Sequence, residues 1–249
     1  MLRYSLNMNQ VALPGLPPHW PMPLDLQLGL NEVLLLEGVG WNDARSFWQV
    51  AATLAVPLGG EVLYWGQSRD NLTRPGLFHL RKQIAFISAG QVFLQHLNLG
   101  ENITLSLCYH REITVSQALA EHEELLDNFD LKPFLDWLPA QLPPYIYWRG
   151  IWARELVKEP ELVLACLEGP GWMKKNQEVL EEALAAYLAE SQAAFLLAGQ
   201  QAAFLLAGQD LSYFYPLAHR SLRPVSGSFL ETQLQQNRER SPVTFFPLV

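Results

Sequence analysis

The chain is short of cysteine, of basic charge and of long apolar runs, and each shortage closes off a class of function. Cys108 and Cys166 are its only cysteines, too few for a disulfide framework and without metal-ligand spacing around them. Lysine and arginine number 17 against 25 acidic residues, a formal net charge of −8, whereas a nucleic-acid partner needs a concentrated basic footprint. No apolar run approaches the ~18–20 residues that span a bilayer, so direct membrane insertion is not expected. The N-terminal MLRYSLNMNQVALPG has neither the apolar core nor the small-residue cleavage site of a secretory leader. A cytoplasmic protein is expected, one that reaches a membrane only through a partner.

What is present suits a globular fold. Hydrophobic residues make up 49% of 249 positions, enough for one sizeable core. Charged residues are only 17%, which excludes a disordered or coiled-coil composition.

The first ~25 residues carry Pro14, Pro17, Pro18, Pro21 and Pro23 and are expected to hold only short edge strands or extended chain. Leu24–Leu30 then alternates, and Asn31-Glu32 reads as a turn. Val33–Leu36 is a continuous run of the kind that makes a strand buried on both faces. The glycine-containing loop Gly38–Asp43 follows. A helix is predicted over Ala44–Leu54, with Phe47, Val50, Ala51 and Leu54 at i, i+3, i+4 and i+7. Buried strand, loop and helix in that order form the layout of a phosphate-binding loop. Further strands are expected at Glu61–Tyr64, Ile84–Ile87 and Leu162–Leu167, and a helix at Glu178–Ala189. Residues 91–156 are richer in helix formers and carry the acidic cluster Glu121, Glu123 and Glu124. Alternating strands and helices predict an α/β fold with a largely parallel sheet.

One segment is written twice. QAAFLLAGQ at 192–200 recurs unchanged at 201–209. The unit is far below the roughly 20–50 residues of a solenoid repeat, so it is a local tandem duplication. Nine added residues turn a helix by about half a turn and invert the faces of a strand. One copy is therefore expected to be a core strand, and the other looped out or packed as added helix.

From Leu24 to about Arg220 the chain resembles the ATP-binding domain of ABC transporters, in order and in spacing. NEVLLLEG resembles the family's strand before the phosphate loop, and GGEVLYWGQ its β-hairpin. IAFISAGQVFLQHLNLGENI keeps His96, Leu97, Glu101 and Asn102 of the family pattern, and LPAQLPPYIYWRGIWAREL keeps Leu142, Arg149, Ala153, Arg154 and Leu156. EPELVLAC resembles the strand that precedes the catalytic carboxylates. ENITLSLCYHRE is loosely similar to lipid-trafficking (Mla-type) subunits. The resemblance implies a P-loop NTPase-like α/β domain over 1–249, with an N-terminal antiparallel β part and a helical subdomain at about 91–156.

The residues that handle ATP in the family are replaced here. Against GxxGxGK(S/T)(S/T), the loop reads Gly38, Val39, Gly40, Trp41, Asn42, Asp43, Ala44, Arg45, Ser46. Gly38 and Ser46 persist, but Trp41 and Asp43 stand for glycines and Ala44 for the lysine that neutralises phosphate. A shift of one residue lets Arg45 stand in for that lysine, although a guanidinium fork is not a compact ammonium. The alternative is an ordinary strand-to-helix turn capped by Asn42 or Asp43. The family's water-sensing glutamine maps to Ala89, its Mg²⁺-ordering aspartate to Cys166 and its catalytic glutamate to Leu167. Glu168 comes one position late, and the switch histidine maps to Gln200 or, by the following Asp-Leu, to Gln209. The signature LSGGQ reads LPPYI, and Pro143 and Pro144 have no N–H to offer a phosphate. His96 and His219 are read as surface or packing residues, and Gln91 as a surface loop residue. No metal ligands or catalytic residues are assigned.

Three functions follow as expectations. The first is a non-hydrolysing, ATP-binding-subunit-like protein, peripheral at the inner face of the cell membrane, that acts through contacts with a membrane permease subunit. Phe93, Leu94, Tyr145, Tyr147, Trp148 and Trp152 serve either as its contact surface or as core. The second is a working ATPase subunit using Arg45 and Glu168, with ATP and Mg²⁺ as cofactors if the loop still binds. The third is one degenerate half of a heterodimer with a second ATP-binding subunit.

Overall fold

The computed structural model describes residues 4–30, 32–37, 45–88, 90–166, 179–180, 182–188, 203–208 and 219–233. Its N-terminal part is an antiparallel sheet of β2 (Leu24–Gly29), β1 (Tyr4–Ala12), β4 (Gly59–Tyr64) and β5 (Gln67–Ser68), in that order. The expectation of short edge strands before residue 25 fails here. β1 is nine residues long and pairs on both sides, Met8 with Leu26 and with Val62. The reason is placement, because the prolines begin at Pro14, after β1 has ended. Gly60 lets β4 start against β1: at φ 83°, a Cβ there would lie 2.2 Å from the Gln10 carbonyl oxygen.

The second sheet runs β10 (Ser228–Gln233), β9 (Arg220–Val225), β3 (Val33–Glu37), β8 (Ala203–Gly208), β7 (Leu162–Cys166), β6 (Ile84–Ile87). All neighbours are parallel except the β9–β10 hairpin. Alternation along the strands feeds two cores. Val33, Leu35, Val163, Ala165, Ala85 and Ile87 point to a helical layer. Leu34, Leu36, Leu162, Leu164 and Ile84 point to the layer that holds α1 (Arg45–Ala51) and the antiparallel sheet. The continuous apolar runs of β3 and β7 are thus explained by burial on both faces. The second copy of the repeat supplies β8, a central strand, while the first copy lies outside the described residues.

The helical layer contains α3 (Leu99–Arg111), α4 (Val115–Glu121), α5 (Glu123–Asn128) and α6 (Pro144–Leu156). α2 (Arg74–Gln83) leads into β6, and residues 182–188 are also helical. The helix after β3 is shorter than its periodicity predicts. It ends at Ala51, and Leu54 is exposed rather than buried. Thr53, buried at φ 63°, breaks the helix, and Arg81 holds it there through hydrogen bonds to its hydroxyl and carbonyl oxygens.

Candidate functional site

β3, β8 and β7 run in parallel and bring Glu37, Gly208 and Cys166 to one edge of the sheet. This edge is where the sequence places a phosphate-type loop. Arg45 opens α1 and is exposed, while Ser46 is half-buried with an Oγ that has no hydrogen-bond partner among the described residues. Gly38, Val39, Gly40, Trp41, Asn42, Asp43 and Ala44 lie outside the described residues, as do Ala89, Leu167, Glu168, Gln200 and Gln209. Cys166 ends β7 fully buried on the α1 side. Among the described residues, no group of three or more histidine, cysteine, aspartate or glutamate side chains could hold a metal ion.

Pro143 and Pro144 start α6. Pro143 stands before the first turn, half-buried, and Pro144 is its first residue, exposed. The helix has no side-chain cap, and its cap and first position carry proline rings in place of N–H groups, so the N–H groups of its first turn come from Tyr145 and Ile146. Neither proline suits an incoming phosphate. A thiol buried at the end of β7 likewise does not match the hard oxygen donors that Mg²⁺ prefers. Pro143, Pro144 and Cys166 by themselves supply neither a phosphate-binding N–H nor a hard oxygen donor.

Gln91 is not a free loop residue. Its Nε2 donates to the Phe86 carbonyl oxygen at 2.5 Å and its Oε1 accepts the Ser88 N–H at 3.4 Å, so it closes the turn after β6. His96 is exposed. His219 is half-buried and accepts the Val33 N–H on Nδ1, which ties the entry of β9 to β3.

The most completely formed feature is a groove between α3, α6 and the segment after β6. Asn98 and Glu101 cap α3 reciprocally. One turn on, buried Asn102 accepts the Leu94 N–H on Oδ1 and points Nδ2 at the carbonyl oxygens of Leu94, Leu97 and Asn98. From the other side, Tyr147 Oη accepts the Phe93 N–H at 2.9 Å, and Arg154 donates to the Val92 carbonyl oxygen at 2.8 Å. Gly150 permits the close approach, since a Cβ there would lie 2.7 Å from Leu99 Cδ1 and 3.0 Å from Phe93 Cζ. Phe93 and Trp152 are core, Tyr145, Tyr147 and Trp148 pack half-buried against it, and Leu94 remains 47% exposed. Of the six candidate contact residues, only Leu94 is predominantly surface.

This framework leaves a cavity of about 540 Å³ lined chiefly by Leu94, Leu105, Tyr109, Arg154, Glu155 and Lys158. Glu155 lies 3.4 Å from Arg154 and also pairs with Lys158, so its single carboxylate serves two cations. Leu105, Tyr109, Glu155 and Lys158 escaped sequence reading. The signal for Leu105 and Tyr109 was the apolar outer face of α3, weak because the inner face is apolar too, while Glu155 and Lys158 at the end of α6 left no local pattern.

Structures of known proteins share this architecture. The ATP-binding cassette MJ0796, solved as a dimer in a post-hydrolysis state with ADP and Pi, superposes with a TM-score of 0.74 over 92% of this chain and 99% of its own, at 18% identity. The fold is that of an ABC-transporter ATP-binding domain. A second such domain, cbiO1 of Clostridium perfringens, part of the ABC transporter complex cbiONQ, gives a TM-score of 0.69 at 14% identity, covering 93% of this chain and 89% of that one. No protein-family model matches the sequence. Curated proteins are nonetheless similar in sequence. The lipoprotein-releasing system ATP-binding protein LolD 2 of Chlorobaculum tepidum is 27% identical over 207 residues, 79% of this chain and 82% of that protein. LolD 1 of Chlorobium luteolum is 27% identical over 199 residues, 74% of this chain and 81% of that protein. The arginine transport ATP-binding protein ArtP of Escherichia coli is 28% identical over 137 residues, 54% of this chain and 57% of that protein. The chain is thus similar to ATP-binding subunits of ABC transporters.

Proposed function

We propose that this chain is a structural or regulatory subunit of an ABC-type transport complex, retaining the shape of an ATP-binding subunit without hydrolysing ATP. The observation that carries the reading is the start of α6, where Pro143 and Pro144 offer no N–H to a phosphate. Cys166, buried at the end of β7, supports it by standing where a Mg²⁺-ordering carboxylate belongs. Trp41, Asp43, Ala44, Ala89, Leu167, Gln200 and Gln209 point the same way by their chemistry. On this reading neither ATP nor Mg²⁺ is a working cofactor.

Its partner is a membrane permease subunit, which holds it peripherally at the inner face of the membrane. The groove between α3 and α6 is the proposed seat, with Leu94, Leu105 and Tyr109 as apolar floor and Arg154 and Lys158 as charged rim. The helical stretch from α3 to α6 is taken as a subdomain set into one α/β domain. No substrate is carried over from LolD or ArtP, and the Mla-type likeness rests on the sequence of α3 alone. Calorimetric titration with Mg-ATP, alongside phosphate release, tests the proposal. No binding in the micromolar range is expected; micromolar binding with turnover abolished by Arg45→Ala sinks it.

The exposed position of Arg45 at the start of α1 favours a second reading, a working ATPase using displaced residues. It requires Glu168→Gln to abolish turnover as well. Pairing with an active second ATP-binding subunit is the remaining variant, read out by co-purification of both with the permease.

A further inference from the structure

The loop between α1 and β4, together with α2, forms a surface beside the groove proposed for the permease, with which it shares only the end of α3. Leu54, Val56 and Leu58 are 57%, 60% and 75% exposed within five residues, an unusual concentration of large aliphatics in water. They are held out rather than loosely displayed. The N–H groups of Leu54 and Ala55 donate to the Gln49 carbonyl oxygen, and that of Leu58 donates to the Ala12 carbonyl oxygen. Thr53 beneath them is clamped by Arg81 at 2.9 Å and 2.7 Å.

Arg81 belongs to α2, and α2 continues the surface. Arg74, Phe78 and Lys82 follow one another at four-residue spacing and are all exposed. Lys82 Nζ sits 5.0 Å over the Phe78 ring. Phe78 meets His110 edge-on at 6.1 Å, and Tyr109 beside it is exposed. Residues 69–83 carry Arg69, Arg74, Arg81 and Lys82 against Asp70 alone, in a chain whose net charge is −8. Basic charge that is scarce overall is gathered beside exposed aliphatic side chains.

We propose that this surface lies directly against an anionic lipid bilayer, with Leu54, Val56 and Leu58 at the acyl boundary and Arg74 and Lys82 among the headgroup phosphates. Both halves of the surface are needed to choose the occupant. Aliphatic side chains gain by leaving water, and basic side chains gain next to acidic headgroups. A nucleic acid would meet the cations but leave the three aliphatic residues wet. The contact is made by the chain itself, independently of any permease. It is interfacial: among the described residues no helix is long and apolar enough to cross a membrane.

Flotation of the purified full-length chain tests this, using phosphatidylcholine vesicles with and without phosphatidylglycerol and no other protein. Partition onto the phosphatidylglycerol vesicles should exceed that onto phosphatidylcholine alone by at least about tenfold and fall with added salt. Leu54→Ser with Leu58→Ser, and separately Arg74→Glu with Lys82→Glu, should each lower partition by at least about tenfold. The thermal midpoint should not change, because these side chains are exposed. Absent binding, equal binding to both vesicles, or binding indifferent to the substitutions overturns the proposal. So does a dimer in solution that Leu54→Ser with Leu58→Ser dissolves, which would assign the surface to a second copy. None of these results touches the non-hydrolysing reading, which is decided by ATP titration.

Discussion

Asn102 shows how one polar side chain can organise a surface. It sits 2% exposed, accepts the Leu94 N–H on Oδ1 and shares its two Nδ2 hydrogens among the carbonyl oxygens of Leu94, Leu97 and Asn98. Asn102→Ala strands the Leu94 N–H and the Leu97 carbonyl, while the carbonyls of Leu94 and Asn98 keep the backbone N–H groups of Leu97 and residue 102. It should cost about 1–3 kcal/mol, measurable by urea denaturation. Its match to the family pattern was legible in the sequence; its bonds were not, because its partners lie on the preceding loop. His122 gives a pH signature. Its Nε2 is buried without a partner among the described residues, and burial lowers its pKa below 6.5, against a smaller opposing pull from Glu159 and Glu121 and with help from Arg111. A lowered folded pKa favours the neutral ring. The stability it contributes is therefore present above pH 6.5 and lost as pH falls through the folded value. Denaturation midpoints followed from pH 7 downward should drop more steeply for the native chain than for His122→Gln.

Among elements, the strands were the most readable and the helix ends the least. Ile84–Ile87 emerges as β6 with the bounds its apolar run suggests, and β7 runs from Leu162 to Cys166, the last described residue of the expected strand. Buried parallel strands announce themselves because both faces must be apolar. α1 misled because its spacing continues to Leu54, while what stops it comes from elsewhere in the fold. Arg81 fixes Thr53, and the Tyr64 hydroxyl donates to the carbonyl oxygens of Val50 at 3.1 Å and Ala51 at 2.6 Å. Tyr64→Phe should leave the Ala51 carbonyl unmet, the Val50 carbonyl keeping the Thr53 N–H, and cost about 1–3 kcal/mol in a thermal or chemical melt. Burial also pushes the Tyr64 phenol well above 10, against a smaller lowering by Arg69. Its contribution is complete below pH 10 and lost as pH rises through the folded value, so the native chain should lose stability above pH 10 more steeply than the phenylalanine variant.

At the scale of the whole molecule, the order of strand, loop and helix gave the α/β class, and the collinear resemblance of fragments from Leu24 to about Arg220 pointed to the ABC-type fold. The groove and the basic aliphatic surface were not visible in advance. Both are built from residues distant in sequence, Val92 with Arg154 and Thr53 with Arg81, and neither pairing leaves a local pattern. Most positions needed to judge nucleotide handling were legible only as substitutions, since a motif reports chemistry that is missing more readily than geometry that replaces it. The duplicated segment carries a further expectation. Its second copy is β8, bonded along its length between β3 and β7. Removing residues 192–200 or residues 201–209 yields one and the same polypeptide, so the shortened chain still owns an identical strand. That deletion should fold with an unchanged circular-dichroism spectrum and a melting temperature within a few degrees of the parent. The sheet, in effect, is served by two interchangeable keys for one lock. A slip in replication could discard either, and the lock would not register which had gone.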